Sequence, residues 1–221
     1  MGGVTKPRMN EPPSKSDARK EAPTRRSVLA EFAGLDVAIV TARDDQGVFL
    51  VRELQRLRVR ARHLWPAPER MPSDADVVYC DYAPDLARRL PWVPGDAQAA
   101  LVVILPASDP IDPEALTNAT PDAILARPFT ANAILASLVS AQSQFRYEMR
   151  LRGKVEKLDE TIRSMRTVER AKAIIMTTRH VAEDEAYGFI RRQAMDRRVP
   201  VSAVAAAIVD SFELLGYDLK Q

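Results

Sequence analysis

Short apolar runs of four or five residues, rich in β-branched side chains, recur between residues 35 and 130. Runs of this length without polar alternation are typical of strands buried on both faces, as in a parallel sheet covered by helices. An amphipathic stretch that contains Phe49, Leu50, Leu54 and Leu57 predicts a helix after the first run. The pattern predicts a doubly wound α/β domain over residues 34–133, with a five-stranded parallel sheet. The predicted strands are Val37–Val40, Arg60–Trp65, Val77–Cys80, Leu101–Leu105 and Ala123–Ala126.

A long helix is predicted after this domain, because residues 131–179 are rich in helix-forming residues and contain no proline. Apolar side chains recur there at alternating intervals of four and three residues, which is the spacing of a heptad seam. Such a seam needs a partner helix, so we predict a coiled-coil linker over residues 134–168 that forms a homodimer. The alternative is a helix that packs back on its own chain. The dimerisation seam is Leu151, Val155, Leu158, Ile162 and Met165.

The C-terminal part has the pattern of a small all-α domain. Ile174 lies near the end of the long helix, Phe189 and Ile190 follow an acidic helix start at residues 183–185, and Pro200 fits the first turn of a last helix. Three short helices form a core only by packing on one another. The pattern therefore predicts a three-helix domain over residues 165–221.

Composition excludes few classes of partner or function. The net charge is +2, so an argument for a nucleic-acid partner must come from local clusters of cations. The single cysteine, Cys80, lies on a predicted buried strand, where we expect an inert core residue.

Residues 1–33 are basic and poor in apolar side chains, which predicts a disordered tail. No signal-peptide pattern and no apolar stretch of about 20 residues is present, which favours a cytoplasmic protein without membrane contact.

The order of elements over residues 34–133, ending in the sequence Ala126–Phe129, resembles the receiver domain of bacterial response regulators, which has a flavodoxin-like sheet. In that family an acidic pair follows the first strand and an Asp follows the third. A Thr or Ser follows the fourth strand and a Lys follows the fifth. This clustering serves two-component signal transduction, because Mg²⁺ requires oxygen ligands and the transferred phosphoryl group requires a cation.

The sequence departs from the receiver pattern at most of these positions. Thr41 follows the first predicted strand, and Arg127 stands where the Lys belongs. Asp81 keeps its place, whereas Asp44 lies a few residues late. We therefore expect a pseudo-receiver in which Asp81 is a vestigial phosphoacceptor position. A phosphorylation-dependent response regulator that uses Asp81, with RNA- or DNA-binding output, is the alternative.

The C-terminal third is similar to the ANTAR domain, a family of RNA-binding antitermination modules named for AmiR and NasT. The resemblance lies in the order of Ala-Lys, Met, Ala, Ala-Met and Val-Ala motifs. These motifs fall within Glu169–Met176, Glu183–Tyr187, Arg191–Met195 and Val204–Ile208.

The α/β half resembles the AmiR branch of this family at His63–Glu69 and Asp76–Tyr79. In that branch the receiver-like domain also lacks the acidic pair and the lysine, and a ligand-sensing protein holds it. The resemblance therefore implies an antitermination regulator that acts on leader mRNA stem-loops. It also implies control by a ligand-sensing partner that binds the pseudo-receiver, rather than by phosphorylation.

Local charge supports RNA binding by this part of the chain. Between Arg163 and Arg198 nine cations face five anions, and most of the anions lie at helix starts, which leaves basic helix faces. RNA hairpins are recognised mainly at their loops, by stacking and hydrogen bonds, while phosphates supply affinity. Lys172, Arg191 and Arg192 are the first candidates for such contacts, and His180 or Tyr187 for stacking. The predicted RNA-binding residues are Arg170, Lys172, Arg179, His180, Arg191, Arg192, Arg197 and Arg198.

Nothing in the sequence indicates an enzyme. The two histidines, His63 and His180, are not accompanied by a glycine-rich phosphate loop or by a nucleophile with an evident base. No catalytic residue, metal site or cofactor is therefore predicted. Use of the C-terminal helices as a DNA-binding helix-turn-helix is a further alternative.

Overall fold

A computed structural model describes residues 30–93 and 95–215, and the chain divides into two compact units, residues 1–142 and 143–221. Residues 1–29 of the predicted tail lie outside the described residues. The described chain begins with a helical turn at residues 30–32, in which the Phe32 side chain is buried. Phe32 was predicted to lie in the tail, so the folded part of the first unit begins before residue 34.

The first unit contains a five-stranded sheet in which every pair of neighbouring strands is parallel. The strand order β2-β1-β3-β4-β5 confirms the predicted flavodoxin-like, doubly wound fold. In this order the carboxyl ends of β1 and β3 lie side by side, with Val40 paired to Cys80. The strands are β1 (Asp36–Val40), β2 (Arg60–His63), β3 (Val77–Asp81), β4 (Ala100–Leu105) and β5 (Ala123–Ala126).

Three short helices connect the strands: α1 (Asp45–Arg56), α2 (Leu86–Arg89) and α3 (Pro113–Ala119). Each strand exposes alternate residues to opposite faces of the sheet, so a buried strand needs cover on both sides. One face packs against the segment that contains α2 and α3. The buried core of that face is Ala38, Val40, Met71, Ala75, Val78, Cys80, Leu86, Leu90, Trp92, Ala99, Leu101, Val103 and Ala119.

Helix α4 (Ala131–Arg179) is one continuous helix, as its composition predicts, and the boundary between the two units falls within it. Its first turns belong to the core of the first unit, where Ile134, Leu138 and Ala141 are fully buried. The Tyr79 hydroxyl lies 3.1 Å from the Ser137 hydroxyl, which ties β3 to this helix. The first turns of the predicted linker therefore contribute to the α/β core.

The second unit contains the end of α4 together with α5 (Glu183–Arg197) and α6 (Val201–Leu214). Pro200 stands at the cap position immediately before α6. This arrangement confirms the predicted all-α C-terminal fold over the described residues, while residues 216–221 lie outside them. The buried core is Ala171, Ile174, Ile175, Ala186, Ile190, Ala194, Val204, Ala205 and Val209.

None of the described helices is both long enough and apolar enough to span a lipid bilayer.

Candidate nucleic-acid interface and acidic pocket

The carboxyl edge of the sheet holds a hydrogen-bonded cluster where a receiver domain has its phosphorylation site. Asp81 is the last residue of β3, Thr41 follows β1 directly, and Arg127 follows β5. The Thr41 hydroxyl lies 2.9 and 2.8 Å from the two carboxylate oxygens of Asp81, to which it donates. Arg127 Nη2 donates to Thr41 Oγ1 at 2.6 Å and to Asp81 Oδ1 at 3.3 Å. Arg127 Nη1 donates to Asp44 Oδ2 at 3.0 Å.

The Arg127 guanidinium thus lies between the two carboxylates that a divalent cation would need as ligands. Its side chain is 17% exposed, and it forms an ion pair with each of Asp44 and Asp81. Among the described residues no group of three or more acidic, histidine or cysteine side chains is arranged to hold a metal ion. These residues therefore do not fit a magnesium-dependent phosphoryl-transfer site, which needs oxygen ligands and a separate cation for the phosphoryl group.

Removal of the Arg127 charge is expected to create the metal site that the wild-type pocket lacks. In an Arg127→Ala variant the carboxylates of Asp44 and Asp81 lose their cation, and because both are more than a third exposed this is expected to cost about 0.2–1 kcal/mol. Mg²⁺ is then expected to raise the melting temperature of the variant and to leave that of the wild type unchanged, because only the variant offers unpaired oxygen ligands. Thermal unfolding with increasing MgCl₂ measures this effect, with Arg88→Ala as the control. Equal stabilisation of both proteins by Mg²⁺ contradicts the prediction.

Cys80 lies inside the same sheet, where its thiol has no contact with solvent. Its side chain is fully buried next to Asp81, and this burial raises the pKa of the thiol to about 12. The thiolate is the reactive form of cysteine, so a thiol with this pKa is inert near neutral pH. The prediction of an inert core residue agrees with this geometry.

Lys172 is the most buried of the predicted RNA-binding residues, with 9% of its surface exposed. Its Nζ donates to Glu169 at 2.8 Å, one turn earlier on α4, and to Glu183 at 2.5 Å, the first residue of α5. These carboxylates raise the pKa of Lys172, and Lys172 lowers the pKa of Glu183. The amine is therefore engaged by its own chain, and its position has a structural explanation independent of RNA.

The contribution of this ion pair to stability is expected to depend on pH. Because the pKa of Glu183 is lowered in the folded chain, the contribution is complete above the ordinary glutamate pKa of about 4.3. It is lost as the pH falls through the lowered folded value. Because the pKa of Lys172 is raised, the contribution is complete below the ordinary lysine pKa of about 10.4. It is lost again as the pH rises through the raised folded value.

A Lys172→Met variant is therefore expected to be less stable than the wild type near neutral pH. The difference in melting temperature is expected to shrink toward about pH 3, where the glutamates of both proteins become protonated. Thermal unfolding followed by circular dichroism at a series of pH values measures the two profiles. Lys154→Met, at an exposed position on α4, is the matched control. Parallel profiles for Lys172→Met and the wild type would show that the ion pair adds nothing to stability.

The remaining predicted RNA-binding residues are exposed, and some have partners. Arg170 pairs with Glu213 of α6 at 2.7 Å. His180 and Arg198 directly follow α4 and α5 and have left-handed backbone conformations, with φ of 51° and 55°. Both of these side chains project from the ends of helices.

One exposed face of α5 combines an aromatic, a cationic and a flexible apolar side chain. Tyr187, Arg191 and Met195 recur at intervals of four residues, so they share one side of the helix. Tyr187 is 43% exposed and Met195 is 67% exposed. Arg191 and Arg192 are exposed, and neither makes an ion pair within the part of the chain that the structure describes. This face offers cations for phosphates and an aromatic ring for a base.

A second feature is a cleft of about 510 Å³ among the three helices of the second unit. The Arg179 guanidinium stacks over the Phe189 ring at 4.0 Å from its centroid. Sequence reasoning chose Arg179 and Arg197 as RNA contacts but missed Phe189 and Gln193 as site residues. The available signal was the spacing of Phe189, Gln193 and Arg197, which recur every four residues and therefore share a helix face. All four side chains line the cleft.

Comparison with known proteins assigns a different family model to each unit. Residues 156–209 match the ANTAR domain, and residues 35–142 match the amino-terminal domain of AmiR. The aliphatic amidase regulator of Pseudomonas aeruginosa is 26% identical over 188 residues, which cover 83% of this chain and 95% of that protein. The transcriptional regulatory protein PdtaR of Mycobacterium tuberculosis is 34% identical over 89 residues, 40% of this chain and 43% of that protein. A low-resolution structure of the response regulator StyR has a TM-score of 0.45 at 15% identity and covers 79% of this chain and 98% of that chain.

Proposed function

Because residues 35–142 match the amino-terminal domain of AmiR and residues 156–209 match the ANTAR domain, we propose that this chain is a transcription antitermination regulator that binds stem-loops in leader mRNA. The match of residues 156–209 to the ANTAR domain carries this proposal, since that stretch contains the exposed cations of α5. Its relatives are regulators rather than enzymes, and we assign it no catalytic role. Leader mRNA is made in the bacterial cytoplasm, where we place the protein.

The basic face of α5 is the proposed RNA contact. Arg191 and Arg192 supply charges for phosphates, and phosphate contacts give RNA binding most of its affinity and its salt dependence. Tyr187 lies one turn before Arg191 on the same side of the helix and is exposed enough to stack on an unpaired base. We assign Lys172 a positioning role, because its ion pairs hold the start of α5 against α4.

The pseudo-receiver is proposed to be controlled by a ligand-sensing partner protein, not by phosphorylation. The support is the Arg127 guanidinium, which fills the acidic pocket and pairs with Asp44 and Asp81. A phosphoryl group on Asp81 would have to displace the Thr41 hydroxyl and would lack a magnesium site beside it. In this proposal Asp81 is a structural carboxylate that keeps the ends of β1, β3 and β5 together.

The exposed seam of α4 is proposed to form a coiled-coil homodimer. Its five apolar side chains are between 42% and 62% exposed in the single chain, which is unfavourable for a row of this length on one helix side. A second copy of the same helix covers such a row with matching geometry. A dimer also carries two ANTAR domains, so binding of one hairpin raises the effective concentration for the next.

A gel-shift titration of the full chain against a two-hairpin leader RNA, taken from upstream of its neighbouring operon, tests the proposed function. Duplex promoter DNA serves as the competitor. Selective binding of the RNA is expected. Equal competition by the duplex would favour a DNA-binding helix-turn-helix and would contradict the proposal.

Beryllofluoride with Mg²⁺ is expected to leave the RNA affinity unchanged. An increase in RNA affinity that an Asp81→Asn variant abolishes would favour the phosphorylated regulator.

A further inference from the structure

The cleft of the second unit combines two arginines, an aromatic ring and a side-chain amide with an apolar wall. We propose that it receives one unstacked base of the RNA hairpin loop, a proposal that rests on the RNA-binding function proposed above. Arg179, Phe189, Gln193 and Arg197 carry the site.

The base platform is a stacked pair. The central carbon of the Arg179 guanidinium lies over Phe189, 4.0 Å from the ring centroid. The ring fixes the arginine, while Arg179 itself is exposed, so the outer plane of the guanidinium is accessible from the cleft. Proteins commonly stack splayed RNA bases on arginine planes and on aromatic rings.

Gln193 supplies the group that reads the base edge. It is half-buried on α5, one turn after Phe189, and lines the cleft. Within the described part of the chain its amide makes no hydrogen bond, so both its donor and its acceptor are available. A side-chain amide offers the paired donor and acceptor that a base edge requires.

Charge and size favour a nucleotide over an apolar partner helix. Arg179 and Arg197 bring two positive charges to one cleft, and an apolar occupant would remove these charges from water without pairing them. A nucleotide pairs the same charges with its phosphate. A volume of about 510 Å³ lies within the usual range for small-ligand sites, about 300–1,000 Å³.

Loss of a single base from the RNA loop is expected to change the affinity of cleft variants and of variants on the basic face of α5 in different ways. A pool of hairpins with a fixed stem and a randomised loop is first enriched on the full-length wild-type protein. The selected hairpin is then made with an abasic site at each loop position in turn. At one position the abasic site is expected to weaken wild-type binding about tenfold, the loss typical of one stacked base.

Arg179→Met and Gln193→Ala are expected to abolish that position-specific loss, so that intact and abasic hairpins bind with equal affinity. Arg191→Met removes a charge outside the cleft, and it is expected to weaken all hairpins equally while preserving the tenfold difference. An unchanged difference in both cleft variants, with wild-type RNA binding intact, would overturn the cleft proposal alone. If no hairpin is enriched by the wild type, RNA binding itself fails and the cleft proposal fails with it.

Discussion

A Leu158→Ser/Ile162→Ser variant is expected to be monomeric and to bind a two-hairpin RNA about 10²–10⁴-fold more weakly than the wild type. Both side chains lie in the middle of the exposed seam, where they are 62% and 46% exposed in the single chain. In a homodimer each substitution acts twice, and loss of a buried Leu or Ile typically costs about 2–5 kcal/mol. Serine is neutral, so the electrostatic attraction to RNA is preserved. Sedimentation measures the oligomeric state, and fluorescence anisotropy measures the affinity.

Two controls separate avidity from other effects. Binding to an RNA with a single hairpin is expected to change little, because one ANTAR domain suffices for one hairpin. A Lys157→Glu/Glu160→Lys variant exchanges charges on the outer side of the helix and keeps both the seam and the net charge. This control is expected to remain dimeric. A serine variant that still sediments as a dimer would refute the proposed role of the seam in dimerisation. A monomeric variant that binds the two-hairpin RNA with full affinity would refute the proposed contribution of avidity.

Replacement of Arg191 and Arg192 by alanine is expected to weaken RNA binding about 10–100-fold at physiological salt. Both side chains are exposed on α5 and make no ion pair among the described residues, so their loss leaves the fold intact. Each phosphate contact contributes about 0.7–0.9 to the slope of log affinity against log salt. The slope of the double variant is therefore expected to fall by about 1.5.

Titrations at several salt concentrations measure this slope directly. An Arg43→Ala/Arg88→Ala variant removes the same charge from exposed positions of the first unit and is expected to bind RNA with the wild-type slope. If both double variants lose RNA affinity equally, the attraction comes from overall charge and not from α5. If neither double variant loses RNA affinity, the RNA contact lies elsewhere on the chain.

The fold of both units could be predicted because it depends on local patterns. Apolar runs such as Val37–Val40 and Leu101–Leu105 have the length and the β-branched content that favour strands buried on both faces, and they form β1 and β4. The continuous helix over residues 131–179 followed from helix-forming residues between two prolines. Near the chain start the pattern was less informative, because the apolar residues around Phe32 form only a short stretch after a long polar and basic segment.

The candidate sites were predicted only in part, because the partners of a charged side chain do not follow from its own position. Lys172 and Arg191 are both cations within the same motif-bearing stretch, yet Lys172 is buried between two carboxylates and Arg191 is exposed. The difference arises from the packing of α5 on α4, which brings Glu183 to an amine eleven residues earlier. No pattern along the chain specifies that approach.

The sequence by itself therefore determined the order and type of the elements, the apolar seam and the motifs that resemble the ANTAR domain, since each is encoded by residues close together in the chain. Only the tertiary structure decided which charges neutralise one another and which face solvent. Arg127 meets Asp44 across 83 residues of chain, and Arg179 meets Phe189 only because α5 turns back onto α4. Coulomb energies and hydrogen bonds depend on distances of a few ångströms between side chains, and those distances are set when the elements pack.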